Sequence, residues 1–450
     1  MKRRVFLGTA AGATVAGGIQ TQASPLSNIA AGDVKLARLS LKELRERYHS
    51  YLFDEFLPFV DKYVIDTEYG GFMCSADRDG TRLNTDKNTW YLGRGTWTYS
   101  YLYNEVTKDP HHLDVARRAV EFTLKLKPSG DTLFPKMFTR EGKPIGPPDD
   151  QVYSDMFIAG GLAEFSKASG NMKYWDIAKE IMLKCVRFYN RPDYYPNITA
   201  SYQLGASPLQ LPGARIGGVW MTLVLCATRM LELKPDPEVE KVAARCVDAV
   251  MNYHFNPEFS LNNELINHDL SRPASPLDQF AYTSHAWETL WMIMAEAMRL
   301  KDKKLFDLAA ERFRRHIECS WDHVYGGAFS GCRNVARNDW ILEKAMWPHE
   351  EILIGSMMVI EHTGAEWAQE LFSKTFEYVN DKFYLKKYGF PMWIRSGDRK
   401  VTYTPHYNNV DLFHNPRRLM MNMLALDRII KRGGKTSGFW KGLKAPSTPY

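Results

Sequence analysis

The residue types best suited to moving a proton near neutral pH gather in four short segments of this 450-residue chain. In Thr283-Ser284-His285-Ala286-Trp287-Glu288-Thr289-Leu290-Trp291, His285 and Glu288 stand three apart. On a helix they share a face, so the carboxylate can orient or charge the imidazole, as acid–base work requires. A histidine satisfied within the core is the competing reading. In Lys344-Ala345-Met346-Trp347-Pro348-His349-Glu350-Glu351, Pro348 suits the first turn of a helix, and the acidic pair lies where the helix dipole favours negative charge. These carboxylates are either capping charges or functional groups. Phe413-His414-Asn415-Pro416-Arg417-Arg418 again places a histidine at a helix start. In Lys87-Asn88-Thr89-Trp90-Tyr91-Leu92-Gly93-Arg94, Arg94 falls on a mostly apolar helix, where its guanidinium needs acceptors: ligand oxygens or a structural carboxylate.

What must position these groups is helical. Helical periodicity recurs every thirty to fifty residues or so, with few convincing strands. It marks about twelve helices: Leu41 to Tyr63, Trp90 to Glu105, His112 to Leu126, Asp155 to Ala168, Tyr174 to Tyr189, Gly218 to Leu233, Pro237 to Tyr253, His285 to Leu300, Lys304 to Cys319, Glu350 to Thr363, Ala365 to Phe383 and Pro416 to Lys431. No Pro- or Gly-rich linker divides them. Asp66-Thr67-Glu68-Tyr69-Gly70-Gly71-Phe72 returns as Asp322-His323-Val324-Tyr325-Gly326-Gly327-Ala328-Phe329, which reads as two equivalent corners of a repeating ring of helix pairs. Helix pairs need neighbours to bury their apolar faces, and the absence of polar capping repeats favours a closed ring over a superhelix. The expected fold is therefore all-α, a single (α/α)6 toroid spanning residues 39–433, with loops on one side forming a bowl. Trp90, Trp97, Tyr99, Tyr101, Trp287, Trp291, Trp347 and Trp393 crowd the same segments as the polar candidates, and aromatic faces stack well on the apolar faces of sugars.

Several classes are excluded. Hydrophobic residues make up 45% and charged residues 24%, which rules out disorder and a collagen-like state. Lys2, Arg3 and Arg4 precede a weakly apolar run ending near Thr21-Gln22-Ala23, which resembles a twin-arginine export signal over residues 1–23, followed by a linker over 24–38. Removal of those three basic residues takes the formal net charge from +6 to +3, too mild a balance to imply nucleic acid. No later stretch approaches the roughly eighteen apolar residues of a membrane span. The expected location is periplasmic or extracytoplasmic, with residues 434–450 as a C-terminal tail. The six cysteines show no C-x-x-C spacing, so a zinc site is not expected, and four of them lie in apolar helical contexts as small hydrophobes.

Taken together, the four segments resemble the N-acylglucosamine 2-epimerase family, from about residue 40 to 432. The family's H-x-x-E-x-x-W pattern is met by His285, Glu288 and Trp291, with Ser284 in place of the usual preceding glycine. Its W-P-H-x-E segment is met by Trp347, Pro348, His349 and Glu351, and its F-H-x-P-R segment by Phe413, His414, Pro416 and Arg417. K-x-x-W-x-x-R is met by Lys87, Trp90 and Arg94, with Tyr91 replacing the usual glutamine. The resemblance implies a carbohydrate epimerase or isomerase in which His285 and His414 act on opposite faces of an opened sugar, Arg94 stabilises the developing enediolate, and Glu288 and Glu351 hold the imidazoles. It implies a substrate-binding set of Trp90, Tyr91, Lys344, Trp347, His349 and Arg417, and requires neither metal nor redox cofactor. Nucleotide activation and a homodimer are left open. Relatives acting on cellobiose, or as aldose–ketose isomerases, carry a further histidine on the mid-chain helix, whereas Gly218-Val219-Trp220-Met221-Thr222-Leu223 has none. The competing classes are a glycoside hydrolase or lyase recruiting Asp155, Glu288 and Glu351, and a non-catalytic sugar binder.

Overall fold

A computed structural model describes residues 34–194, 213–274, 276–384, 396–397 and 409–443. Helix α1 (Leu41–Ser50) continues through a wider π-type stretch (Tyr51–Phe56) into α2 (Leu57–Tyr63), making one rod. It is followed by α3 (Thr89–Tyr101), α4 (Pro110–Lys125), α5 (Tyr153–Ser169), α6 (Lys173–Tyr189), α7 (Gly217–Leu233), α8 (Pro237–Asp248), α9 (Thr283–Leu300), α10 (Lys303–Ser320), α11 (Met346–Thr363), α12 (Glu366–Lys382) and α13 (His414–Lys431). Among the described residues these rods match the twelve helical stretches expected, within a few residues at each end.

Burial decides which rods lie inside. Along α10 the buried residues Leu305, Phe306, Ala309, Ala310, Phe313 and Ile317 form one stripe, as on a helix with one wet face. Along α9, residues from Thr283 to Ala297 are buried on almost every turn, so this helix is covered all round. Helices α3, α5, α7, α9, α11 and α13 pack side by side in that order, and α13 returns against Leu102–Thr107, which continues α3. They form the inner ring; α1–α2, α4, α6, α8, α10 and α12 pack outside it. The architecture is an (α/α)6 barrel. Closure is tightest between α3 and α5, where a Cβ on Gly93 would lie 2.3 Å from the Phe157 carbonyl carbon.

Four of the six outer helices start on side-chain caps: Ser40 with Glu43 in a capping box, and Asp109, Asp236 and Asp302 each accepting from a backbone N–H of the first turn. Inner α5, α7, α9, α11 and α13 start without one. Their N-termini converge on one mouth of the barrel and bring the positive ends of their dipoles to it.

The two glycine corners are structurally equivalent. Gly70 and Gly71 have φ of 83° and 78°, and Gly326 and Gly327 have 77° and 74°, a region that disfavours any side chain with a Cβ. In each corner the aspartate accepts from two following backbone N–H groups through Oδ1. Its other oxygen meets a buried lysine, Lys87 on Asp66 at 2.9 Å and Lys344 on Asp322 at 2.8 Å. Each lysine lies two residues before an inner helix, so the ion pair ties that helix start to the corner.

The ordered unit extends beyond the expected domain limits. Val34 and Leu36, within the expected linker, are buried, and the Ala37 N–H donates to Ser373 Oγ on α12 at 2.9 Å, because this segment has apolar surface to cover. At the other end, Ser437 N–H donates to the Glu361 carbonyl at 2.8 Å and Trp440 packs on Phe306, so part of the expected tail is built into the barrel. No helix of the described residues is long and apolar enough to cross a membrane. The expected signal segment lies outside the described residues.

Candidate active site

His285 stands in the first turn of α9 and His414 begins α13. Both rings approach the indole of Trp347, at centroid distances of 6.1 and 5.1 Å. Trp347 is half-buried in the first turn of α11, so the aromatic wall and the two imidazoles come from adjacent inner helices.

Each imidazole has its own carboxylate. His414 Nδ1 lies 2.8 Å from Glu351 Oε1. His285 Nδ1 lies 2.8 Å from Oε1 of Glu264, a residue that the sequence did not single out. Glu264 is set by backbone pairing: strand Arg215–Ile216 runs antiparallel to Leu265–Ile266, and the Gly217 N–H donates to the Glu264 carbonyl at 2.8 Å. The sequence signal for it is weak, since a carboxylate 21 residues before the histidine, on a loop, shares no periodicity with it. Burial pulls the His285 pKa down, but the charge and hydrogen bond of Glu264, with the charge of Glu288, raise it above its ordinary value.

Glu288 does not serve as the partner expected from its spacing. Its Oε1 lies 2.7 Å from Arg417 Nη2, and the same nitrogen lies 2.7 Å from Glu351 Oε1. The fixed guanidinium charge is a stronger draw than a neighbouring imidazole. Glu351 also accepts from Trp291 Nε1 at 2.8 Å. Burial raises the Glu351 pKa, but Arg417 and His414 outweigh it and hold the carboxyl below its usual range. Ligand atoms of Glu288, Glu351 and His414 come within 4.8 Å of one another, a grouping that could hold a metal ion. Arg417 Nη2, close to both carboxylates, already takes the cation's place.

Arg94 stacks its guanidinium on Phe157 at 4.1 Å and on Trp90 and Phe413 at 5.2 Å each. Burial lowers its pKa, and its Nε has no partner among the described residues. Tyr91 accepts from Asn409 Nδ2 at 2.5 Å, which joins α3 to the segment leading into α13. Trp90 also faces Tyr153, with ring centroids 5.4 Å apart. A Cβ on Gly218 would lie 2.6 Å from His285 Cε1 and 2.7 Å from the Tyr153 hydroxyl, so the glycine makes room for both groups. Neither Gly218 nor Tyr153 was a site candidate in the sequence.

Three of the expected substrate-binding residues are placed differently. Lys344 is fully buried on Asp322, because a buried ammonium needs its counter-charge. His349 is also fully buried: Nδ1 donates to the Ala345 carbonyl at 2.6 Å, and Nε2 accepts from the Ala328 N–H at 2.9 Å. Burial lowers its pKa to about 4, so it is a neutral strut between α11 and the second corner. Arg417 lies beneath the bowl, with no exposed surface, because two buried carboxylates hold it there. Asp155 is likewise structural, bound to Lys184 at 2.6 Å and accepting from Phe134 N–H at 2.9 Å. Burial pushes the neighbouring Glu350 up to about 8; it accepts from Asn415 at 2.6 Å and lies 3.4 Å from Arg418.

The profile of the N-acylglucosamine 2-epimerase (GlcNAc 2-epimerase) family matches residues 70–415. The N-acylglucosamine 2-epimerase of Bos taurus is 25% identical over 396 residues, 84% of this chain and 90% of that protein. Among solved structures, a sugar epimerase from a ruminal bacterium superposes with a TM-score of 0.71 at 18% identity, over 87% of this chain and 99% of the other. Cellobiose 2-epimerase from Bacillus thermoamylovorans B4167 gives 0.71 at 17% identity, over 85% and 99%. With a profile match over most of its length, the chain belongs to the N-acylglucosamine 2-epimerase family.

Proposed function

We propose that this protein is a sugar 2-epimerase acting on a hexose or N-acetylhexosamine, with His285 and His414 as the two proton-transfer groups. One observation carries the assignment: two histidines flank one indole, each with Nδ1 on its own carboxylate at 2.8 Å. A carboxylate on Nδ1 fixes the tautomer and ring orientation, so that Nε2 is the nitrogen that exchanges a proton.

In the ring-opened sugar, Nε2 of one histidine takes the C2 proton as the electron pair of that C–H bond moves into the C1–C2 bond. The carbonyl oxygen becomes an enediolate oxygen, next to Arg94. The other histidine then delivers a proton to C2 from the opposite face, the C1 carbonyl re-forms, and the configuration at C2 is inverted. Arg94 supports this step because its aromatic lining excludes water, where a fixed positive charge stabilises an oxyanion most strongly. No step draws on a metal or redox cofactor. A carboxylate-driven hydrolase is less well supported, since Asp155 is bound to Lys184, and Glu288 and Glu351 are bridged by Arg417. Export through the Arg3–Arg4 pair ahead of Phe6 and Leu7 is part of the same proposal.

Incubation with a panel of aldoses in heavy water, followed by proton NMR, tests the reading. Deuterium at C2 of both epimers, without accumulation of a ketose, is the expected result. Net ketose formation would make the enzyme an isomerase, and no exchange with any sugar would refute the proton-transfer assignment.

A further inference from the structure

The mouth of the barrel remote from His285 and His414, where the inner helices end, opens into a cavity of about 370 Å³. That size lies within the range of small-molecule sites. Its walls include Trp97, Leu225, Met292, Met357 and Met421, and thioether side chains adapt to irregular apolar shapes. Charged residues at its rim are neutralised by neighbours: Arg229 by Glu164 at 3.0 Å, Arg299 by Glu296 at 2.7 Å and Arg428 by Glu361 at 2.7 Å. The rim therefore presents no unbalanced charge for an ionic ligand.

At its inner end the cavity reaches Arg417. Nη2 of this arginine is committed to Glu288 and Glu351, whereas Nε and Nη1 are buried and have no hydrogen-bond partner among the described residues. Buried donors of a charged group left without an acceptor are costly, so an acceptor oxygen reaching them would be strongly held. An anion there would be repelled by the two carboxylates that already flank the guanidinium. Trp291 also lines the cavity and donates to Glu351, the partner of His414.

We propose that this cavity is a second ligand site, for a neutral, largely apolar molecule whose carbonyl or hydroxyl oxygen accepts from Arg417. Its occupancy is communicated to His414 through Arg417, Trp291 and Glu351. The site is separate from the sugar bowl, and its binding test does not depend on which sugar the enzyme takes.

Calorimetric titration of the full chain with 2-acetylnaphthalene, 2-ethylnaphthalene and 2-naphthoate tests the proposal. The ketone should bind at least about tenfold more tightly than the hydrocarbon, as a hydrogen bond to a charged donor requires, and the carboxylate most weakly. Ala425→Phe, which fills the cavity from α13, should abolish ketone binding with basal turnover retained; Ala295→Phe, from α9, repeats the test if the first variant does not fold. The ketone should also displace the pH profile of kcat/KM in the wild type but not in the filled variant. Equal affinity for ketone and hydrocarbon, preference for the carboxylate, or undiminished binding to a folded filled variant would each overturn the site. Ketone binding with an unchanged pH profile would overturn the coupling.

Discussion

The two histidine centres are built to different plans. His285 meets a single carboxylate, Glu264, whose other contacts include a 3.3 Å hydrogen bond from the Gly218 N–H. His414 meets a carboxylate already shared with Arg417 and Trp291, and that arginine carries Glu288 as well. At His285 the charge of Glu264 outweighs the burial that would otherwise favour the neutral ring, whereas at His414 the carboxylate's charge is shared with Arg417 and Trp291.

The largest effects should come from the histidines themselves. His285→Asn and His414→Asn should each lower epimerisation by about a hundred- to ten-thousandfold, the usual cost of losing a general base. Each variant should still exchange the C2 proton of the one epimer that its surviving histidine can reach, so the two should show opposite epimer preferences in heavy water. The same preference in both would erase the distinction between the centres.

Next in size is a test that separates site from scaffold. Lys344→Met leaves Asp322 buried without its cation, a loss of about 3–5 kcal/mol of stability for a broken buried pair. Thermal unfolding should show the lowered Tm, while turnover per folded molecule falls far less than in either histidine variant. A loss of turnover with an unchanged Tm would return Lys344 to the site.

The architecture was legible in the sequence because the helical period is clear and the repeated Asp…Gly-Gly corner marks equivalent places in the ring; in the fold the inner helices are covered almost all round. Direction within a segment was harder to read. Successive residues on a helix turn by about 100°, so Trp347 and His349 point to nearly opposite sides, while Trp347 and Glu351 share a face. A matched segment therefore does not say which of its residues enter the bowl. Three-residue spacing made Glu288 the expected partner of His285, but Arg417, distant in sequence, supplies a competing charge that no local pattern contains. Glu264 was not legible because backbone pairing of two short strands brings it to the site.

A smaller effect is expected from Gly218→Ala. The added methyl would come within 2.6 Å of His285 Cε1, so the imidazole or α7 must shift. Misplacement by about 1 Å can cost up to a hundredfold in rate. The expected signature is a lower kcat with little loss of stability. A variant with wild-type turnover would show that His285 has more freedom than its contacts indicate.

The smallest effect should be the most specific to the contrast between the two centres. Glu264→Gln preserves the shape around His285 and removes the charge that offsets its burial. With Glu264 ionised, the His285 pKa is raised, so the neutral form needed to remove a proton prevails only above that raised value. Without the charge, burial acts with less opposition and the pKa falls. The acid limb of kcat/KM should therefore move to lower pH, with a modest drop at the plateau because a neutral amide orients the ring less firmly than a carboxylate. The sign is the discriminating feature: a limb that moves to higher pH, or does not move, would mean that Glu264 does not govern His285 and that the acid limb belongs to another group.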